Sequence, residues 1–363
     1  MTTLCLSMIV KDEISNMKKC LDSIKDYISY WVICDTGSTD GTQEFIKDYL
    51  KDIPGELIQH EWVDFATNRN MALEAARDKS DYIIFLDADD QFEIKDKSIF
   101  KKLKEKVYGV NIKHGTITFF RPHILKNNFK CKWEGVLHEY LLPLEPCKQE
   151  NLEKIILHTS CTGNRSRNPN KYLDDAKKLE EAIAKEPNNI RYVFYCAQSY
   201  KDHTFTDPKT EYVDKAILYY DKRIRMGGWI EEQYISAIEI GKLLTRFYPE
   251  KIEEIESAFI RAYNILPTRV EALTYLSGFC REKNMFQKTY FYAKLGFNIK
   301  RPQDGLFIED ACYDWKIQDE LAIGAFYLGK KQEAFTLNKY LLSCGKLPQN
   351  QVERINNNLK FCL

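Results

Sequence analysis

The chain has 363 residues, beyond the roughly 100 to 200 of a common single domain, so two domains are expected. Lys plus Arg and Asp plus Glu each total 53 with no basic stripe, which argues against a nucleic acid or an anionic membrane surface held by charge. No apolar run approaches the roughly 20 residues of a membrane-spanning helix, and 11 cysteines lie scattered without a C-x-x-C pair, the pattern of reduced thiols in a soluble cytoplasmic protein.

Leu4–Val10 is expected as the first strand; with no cationic segment before it and no small-residue cleavage site after it, it reads poorly as a secretion signal. Met17, Leu21, Ile24 and Ile28 recur at helical spacing and predict a helix over Ser15–Tyr27. Trp31–Cys34 is a short buried strand, and Asp35 to Gly41 the turn after it. Helices over Thr42–Leu50 and Thr67–Arg77 alternate with strands over Glu56–Glu61 and Tyr82–Leu86. This alternation builds a parallel sheet with helices on its faces, and brings four strand ends to one edge. Beyond Gln91, strands are expected at Thr116–Phe120, Ile124–Phe129 and Ile155–His158, forming a smaller, partly antiparallel annex.

Thr162–Asn170 is polar and carries Gly and Pro, so the domain boundary is placed there, giving domains 1–168 and 169–363. The remainder reads as helical. The phrases Ala182–Asn188, Ala262–Thr268 and Tyr327–Ala334 resemble tetratricopeptide-type helical repeats, without a strict repeat length. Tyr195, Tyr200, Tyr219, Tyr220, Phe291 and Tyr292 are expected to pack between those helices.

Asp87 and Asp89 follow the apolar strand Tyr82–Leu86, where hard carboxylate oxygens suit Mg or Mn and a bound cation would grip a diphosphate; a solvated acidic turn is the plainer alternative. Asp35, ahead of a Gly/Ser/Thr-rich turn, suits a nucleotide base or ribose, while Ser38, Thr39 or Asp40 serve equally as helix caps. Arg69, beside Asn68 and Asn70 near a helix start, suits phosphate oxygens. Asp12 and Glu13 follow the first strand, where acids also favour a helix dipole.

Taken in order, Met8–Glu13, Cys34–Thr42, Phe65–Leu73 and Phe85–Asp90 resemble the family-2 glycosyltransferases of GT-A fold. The likeness is greatest to the subgroup with a helical repeat domain behind the catalytic one, which includes an enzyme that glycosylates a bacteriocin cysteine. The resemblance implies an α/β Rossmann-like mixed sheet flanked by helices, followed by an all-α domain. It implies substrate contacts at Val10, Asp12, Glu13, Asp35, Ser38, Asn68, Arg69, Asp87 and Ala88. Asp87 and Asp89 would form a D-x-D metal motif for Mn or Mg, with Asp89 the direct ligand and His158 a candidate third. It also implies a nucleotide-sugar donor carried most commonly by UDP, an inverting single displacement, a peptide, protein or glycan acceptor, and a homodimer through helical parts.

A carboxylate must take the acceptor's proton. Glu139 is the candidate, with His138 orienting it or sharing the role and Asp90 or Glu134 as alternatives. Arg165 and Arg167 in the polar segment are candidates for a lid over the diphosphate, against a plain linker. A Q-x-x-R-W phrase is absent, which favours single addition over processive synthesis.

Other readings fare worse. In haloacid-dehalogenase-type phosphatases the D-x-D sits on the first strand and a Thr or Val stands where Gln91 is here. Neither G-x-G-x-x-G after the first strand nor G-x-x-x-x-G-K-[ST] occurs. A non-catalytic scaffold remains the alternative from another class, opposed by the intact acids.

Overall fold

The computed structural model describes residues 2–114, 117–160 and 162–363, with the side chains of 114, 117, 118, 166 and 167 left aside. Two compact units result, Met1–Lys178 and Leu179–Leu363.

In the first unit, β1 (Leu4–Val10), β2 (Tyr30–Asp35), β3 (Gly55–Gln59) and β4 (Tyr82–Phe85) pair in parallel in the order β3-β2-β1-β4. Between them run α1 (Ile14–Asp22), α2 (Thr42–Tyr49) and α3 (Phe65–Ala75). Both faces of β1 are covered. Leu4, Leu6, Met8 and Val10 pack with Met17, Leu21 and Ile46, while Cys5 packs on the other face with Leu73, Ala76 and Ile83. Coverage of both faces explains the nearly unbroken apolar run of this strand. The first helix ends sooner than its periodicity predicts. The Ser23 hydroxyl donates to the Cys20 carbonyl at 2.6 Å, and a single 3₁₀ turn, Lys25–Tyr27, follows.

The expected annex is instead a continuation of the same sheet. β5 (Gln91–Ile94), β6 (Val107–His114), β7 (Ile117–Lys126) and β10 (Gln149–His158) extend it to eight strands in the order β3-β2-β1-β4-β7-β6-β10-β5. The two strands expected at 116–120 and 124–129 are one strand, β7; Thr116 itself lies outside the described residues. Pro122 lies within β7, and the register shifts where β6 passes it, because proline brings no N–H to the ladder. β8 (Cys131–Glu134) and β9 (Tyr140–Pro143) form a separate two-stranded ribbon, and Trp133 of β8 packs edge-on against Phe85 at 5.2 Å.

After the polar segment comes α4 (Lys171–Lys185), through which the division between the units passes. The second unit is helical: α5 (Ile190–His203), α6 (Thr210–Arg225), α7 (Ile230–Phe247), α8 (Ile252–Ile265), α9 (Glu271–Glu282), α10 (Phe286–Gly296), α11 (Ile317–Tyr327), α12 (Lys331–Ser343) and α13 (Gln349–Phe361). From α5 onward, each packs against its successor in the chain. The phrase Tyr327-Leu328-Gly329-Lys330 closes α11, with Gly329 at φ +76° and the Lys330 N–H donating to the Ala325 carbonyl at 2.9 Å. Tyr200 and Tyr220 are fully buried as expected, whereas Phe291 is 60% exposed because it lies on the outward face of α10. Arg269 is enclosed: it pairs with Glu231 at 2.6 Å and Glu271 at 2.7 Å, donates to the Leu306 and Phe307 carbonyls, and lies over the Tyr234 ring.

Candidate active site at the strand ends

Two loops meet at the ends of β1 and β2. Asp12 adopts φ +53°, a conformation aspartate tolerates better than most residues, and its carboxylate accepts the Thr39 N–H at 2.7 Å. Its own N–H donates to the Ser38 hydroxyl at 2.8 Å, and the Glu13 N–H donates to the Thr42 hydroxyl at 2.9 Å. The Val10 carbonyl accepts the Thr36 N–H at 3.0 Å. Val10, Asp12 and Ser38, expected as substrate contacts, therefore staple the two loops together. Gly37 and Gly41 supply the positive φ values, +102° and +93°, that this turn requires.

Asp35 is held within that frame. One carboxylate oxygen accepts N–H groups from Gly37 at 3.0 Å and Ser38 at 2.9 Å and the Gln43 amide at 2.7 Å. Its other oxygen, Oδ2, is buried without a partner. The amide Nδ2 of Asn68, near the start of α3, is likewise buried and unpaired, as are His60 Nε2 just past β3 and Trp133 Nε1. Buried polar atoms left without partners are uncommon in a finished core, and an ordered water or a bound ligand is what completes their bonding.

Asp64 caps α3 by accepting the Thr67 N–H at 2.8 Å, which fixes Arg69 one turn later. Arg69 does not lie free for a phosphate. Its Nε donates to Glu139 at 2.7 Å and its terminal nitrogen to Asp87 at 2.8 Å, with the guanidinium over the Trp133 ring at 5.2 Å. It thus links the first acid after β4 to the candidate base, which stands between β8 and β9. That loop turns sharply, with Gly135 at φ +111° and His138 at φ +52°; His138 is exposed beside Glu139.

The acids after β4 differ in environment. Burial pushes Asp87 up, but the opposing charges of Arg69 and Arg121 hold it below the usual carboxylate range. Asp89 is raised by burial and by the charge of Asp87, against the Gly163 N–H that donates to its Oδ2 at 3.0 Å. Asp90 is buried, and burial with the charges of Asp87 and Asp89 pushes its carboxyl up to about 8. Neither Asp89 nor Asp90 forms an ion pair among the described residues. Ala88, between Asp87 and Asp89, is packed in the core.

His158 is engaged by another acid. The antiparallel register sets it opposite Gln91, and its Nε2 lies 2.7 Å from Glu93 of β5. Among the described residues, no three His, Cys, Asp or Glu side chains converge as a ready cation site. The polar segment lies over the acids. The Ser160 hydroxyl donates to the Asp89 carbonyl at 2.8 Å, and the Asn164 N–H donates to Glu13 at 2.8 Å. Arg165 pairs with Asp175 of α4 and lies 4.9 Å over the Phe65 ring; the Arg167 side chain lies outside the described ones.

Arg121 and His123 were not foreseen. They stand two apart on β7, hence on one face, and the β4–β7 register carried one step beyond its last pairs sets His123 opposite Phe85. Two basic residues alternating in an otherwise apolar strand were the signal available.

Residues 5–163 match the family model described as Glycosyl transferase family 2. That match falls within the first unit, and an all-helical unit follows it. The SPbeta prophage-derived glycosyltransferase SunS of Bacillus subtilis is 24% identical over 233 residues, 61% of this chain and 54% of that protein. A TPR repeat-containing protein of Synechococcus elongatus is 36% identical over 92 residues, 25% of this chain and 21% of that protein. The chain spans about half the length of the SunS relatives it matches. Among solved structures, S. aureus TarS 1-349 in complex with UDP-GlcNAc is similar at 13% identity and a TM-score of 0.41, covering 72% of this chain and 91% of that one.

Proposed function

We propose that the chain transfers a sugar from a nucleotide-sugar donor, UDP-linked in the first instance, to a hydroxyl or thiol of a peptide, protein or glycan. The observation that carries this reading is the frame around Asp35. Three donors fix one carboxylate oxygen and the other stays buried and unpaired, ready to accept from a nucleotide base or ribose. Uncompensated carboxylates lie two strands away.

The acids fit a divalent cation chemically: they offer hard oxygen donors, and Asp89 and Asp90 form no ion pair among the described residues. Asp89, supported by Asp87, would hold Mn or Mg, which when bound supplies the positive charge that a departing nucleoside diphosphate needs. Arg69 holds Asp87 ionised and aims Glu139, whose second oxygen is left to accept the acceptor's proton in a single inverting displacement. Ser160 and the Gly163–Arg165 segment screen these acids and move with donor entry. The second unit has a cavity of about 660 Å³ lined by Tyr275, Phe279, Trp315, Lys242 and Arg281 among others, and we assign acceptor recognition to it.

The test is release of nucleoside diphosphate from a panel of nucleotide sugars with Mn, with and without a chelator. Chelator-sensitive hydrolysis of one donor supports the reading. No hydrolysis, no transfer and no nucleotide binding would leave a scaffold protein instead. No helix of the described residues is long and apolar enough to cross a membrane, and we propose a cytoplasmic location because no disulfide joins cysteines among the described residues.

A further inference from the structure

We propose that Arg121 of β7, and not Arg69, is the cation that meets the outer phosphate of the donor, and that His123 holds it in place. The inference rests on the nucleotide-sugar reading above.

Arg69 carries the family resemblance at this position, yet its donors are directed elsewhere. It is only 11% exposed and is clamped between Asp87 and Glu139. Drawing it to a phosphate would leave both acids without their cation, an unfavourable exchange for a pair this enclosed. Arg121 is in the opposite condition. It is exposed and forms no ion pair among the described residues. Its position is nonetheless fixed. The pair Ile84–Ile124 sets the register of β4 against β7, and the bond from His123 to the Phe85 carbonyl carries that contact one residue further, toward the acids that follow β4. The charge of Arg121 is felt at both Asp87 and Asp90.

His123 explains how an exposed arginine is kept aimed. Arg121 Nε–H donates to His123 Nε2 at 3.2 Å, so that nitrogen must be the unprotonated one; Nδ1 then carries the hydrogen and donates to the Phe85 carbonyl at 3.1 Å. The chain of bonds runs from the backbone of β4 to the guanidinium, whose terminal nitrogens have no hydrogen-bond partner among the described residues. Burial and the neighbouring arginine charge push His123 down to about 3, so the imidazole remains a neutral acceptor through the physiological range.

Strand order decides which phosphate it meets. Asp35 ends β2, and β7 stands three places along the sheet in the order β2-β1-β4-β7, roughly 14 Å away at the usual strand spacing. A nucleotide whose base lies at Asp35 therefore reaches Arg121 only with its outer end, where the bond to the sugar breaks. His123 is a positioning residue and Arg121 the contact.

The experiment measures, by calorimetry with Mn, binding of UDP, GDP, dTDP and CDP and of the matching monophosphates to the full chain and to Arg121→Gln. For the diphosphate that binds, Arg121→Gln is expected to weaken affinity by about tenfold or more, as loss of a charge-assisted bond does, while the monophosphate changes by less than about threefold. His123→Phe should give a smaller loss with the same selectivity. Should Arg121→Gln fail to fold by circular dichroism, Arg121→Lys carries the test, since it keeps the charge but cannot donate through Nε to His123; a selective loss of a few-fold is expected. Equal effects on diphosphate and monophosphate, or none, would overturn the assignment of Arg121 and leave the donor reading in place. Failure of the wild type to bind any nucleotide would overturn both.

Discussion

Two arginine-centred clusters, one in each unit, show how differently buried charge is treated. Around Arg269 in the helical unit each guanidinium nitrogen has an acceptor, from Glu231, Glu271 and the Leu306 and Phe307 carbonyls, while Tyr234 and Tyr313 donate to Glu271. Arg269 and Glu271 are 1% and 2% exposed. Around Arg69 in the front unit the pairing stops short. Asp87 and Glu139 share one cation, while among the described residues Asp89 and Asp90 form no ion pair and Asp35 Oδ2 has no partner. A cluster that closes on itself serves the fold; one left short of positive charge is arranged for something that binds.

The comparison breaks first at Glu139. If it is the base, Glu139→Gln lowers kcat by roughly 100- to 10,000-fold, the usual range for a general base, and leaves thermal stability nearly unchanged. An equal loss of stability would instead make Glu139 a closing partner like Glu271. The converse holds for Arg269→Met, which leaves two acids buried without a cation. We expect a loss of roughly 3 to 5 kcal/mol in urea unfolding, with little change in donor affinity for the protein that remains folded.

A smaller effect comes from His123. Its pKa is about 3 in the folded chain, below the ordinary value near 6.5, so the unfolded chain binds the additional proton between those limits. Stability contributed by the neutral imidazole is whole above about pH 6.5 and declines as pH falls toward 3, by about 3 kcal/mol at pH 4. Unfolding curves of wild type and His123→Asn across this range check the sign. A wild-type curve that matches the variant would show that His123 is not held neutral.

The legible and illegible parts of the sequence follow the same division between local and distant causes. β1 to β4 were readable because parallel strands covered on both faces leave continuous apolar runs, and the phrases at their ends stand next to the strands that present them. β5 and β6 were not, since Gln91-Phe92-Glu93-Ile94 alternates at the sheet's edge and carries no more apolar signal than a loop. That omission hid Glu93, and with it the partner that engages His158. Arg69 was found, but its partner Glu139 stands 70 residues away, a pairing no spacing rule reveals. The outward setting of Phe291 was equally invisible, because both faces of α10 carry aromatic residues and only packing decides between them.

The central claim is that Asp89 and Asp90 are left without an ion-pair partner in order to hold a cation under the donor's diphosphate. Asp89→Ala tests it most directly, with Mn-dependent hydrolysis of the preferred nucleotide sugar measured beside the melting temperature. We expect activity to fall at least about 100-fold, since charge stabilisation at the leaving group is lost, while the melting temperature holds or rises as repulsion from Asp87 is relieved. Full activity in Asp89→Ala would contradict the account.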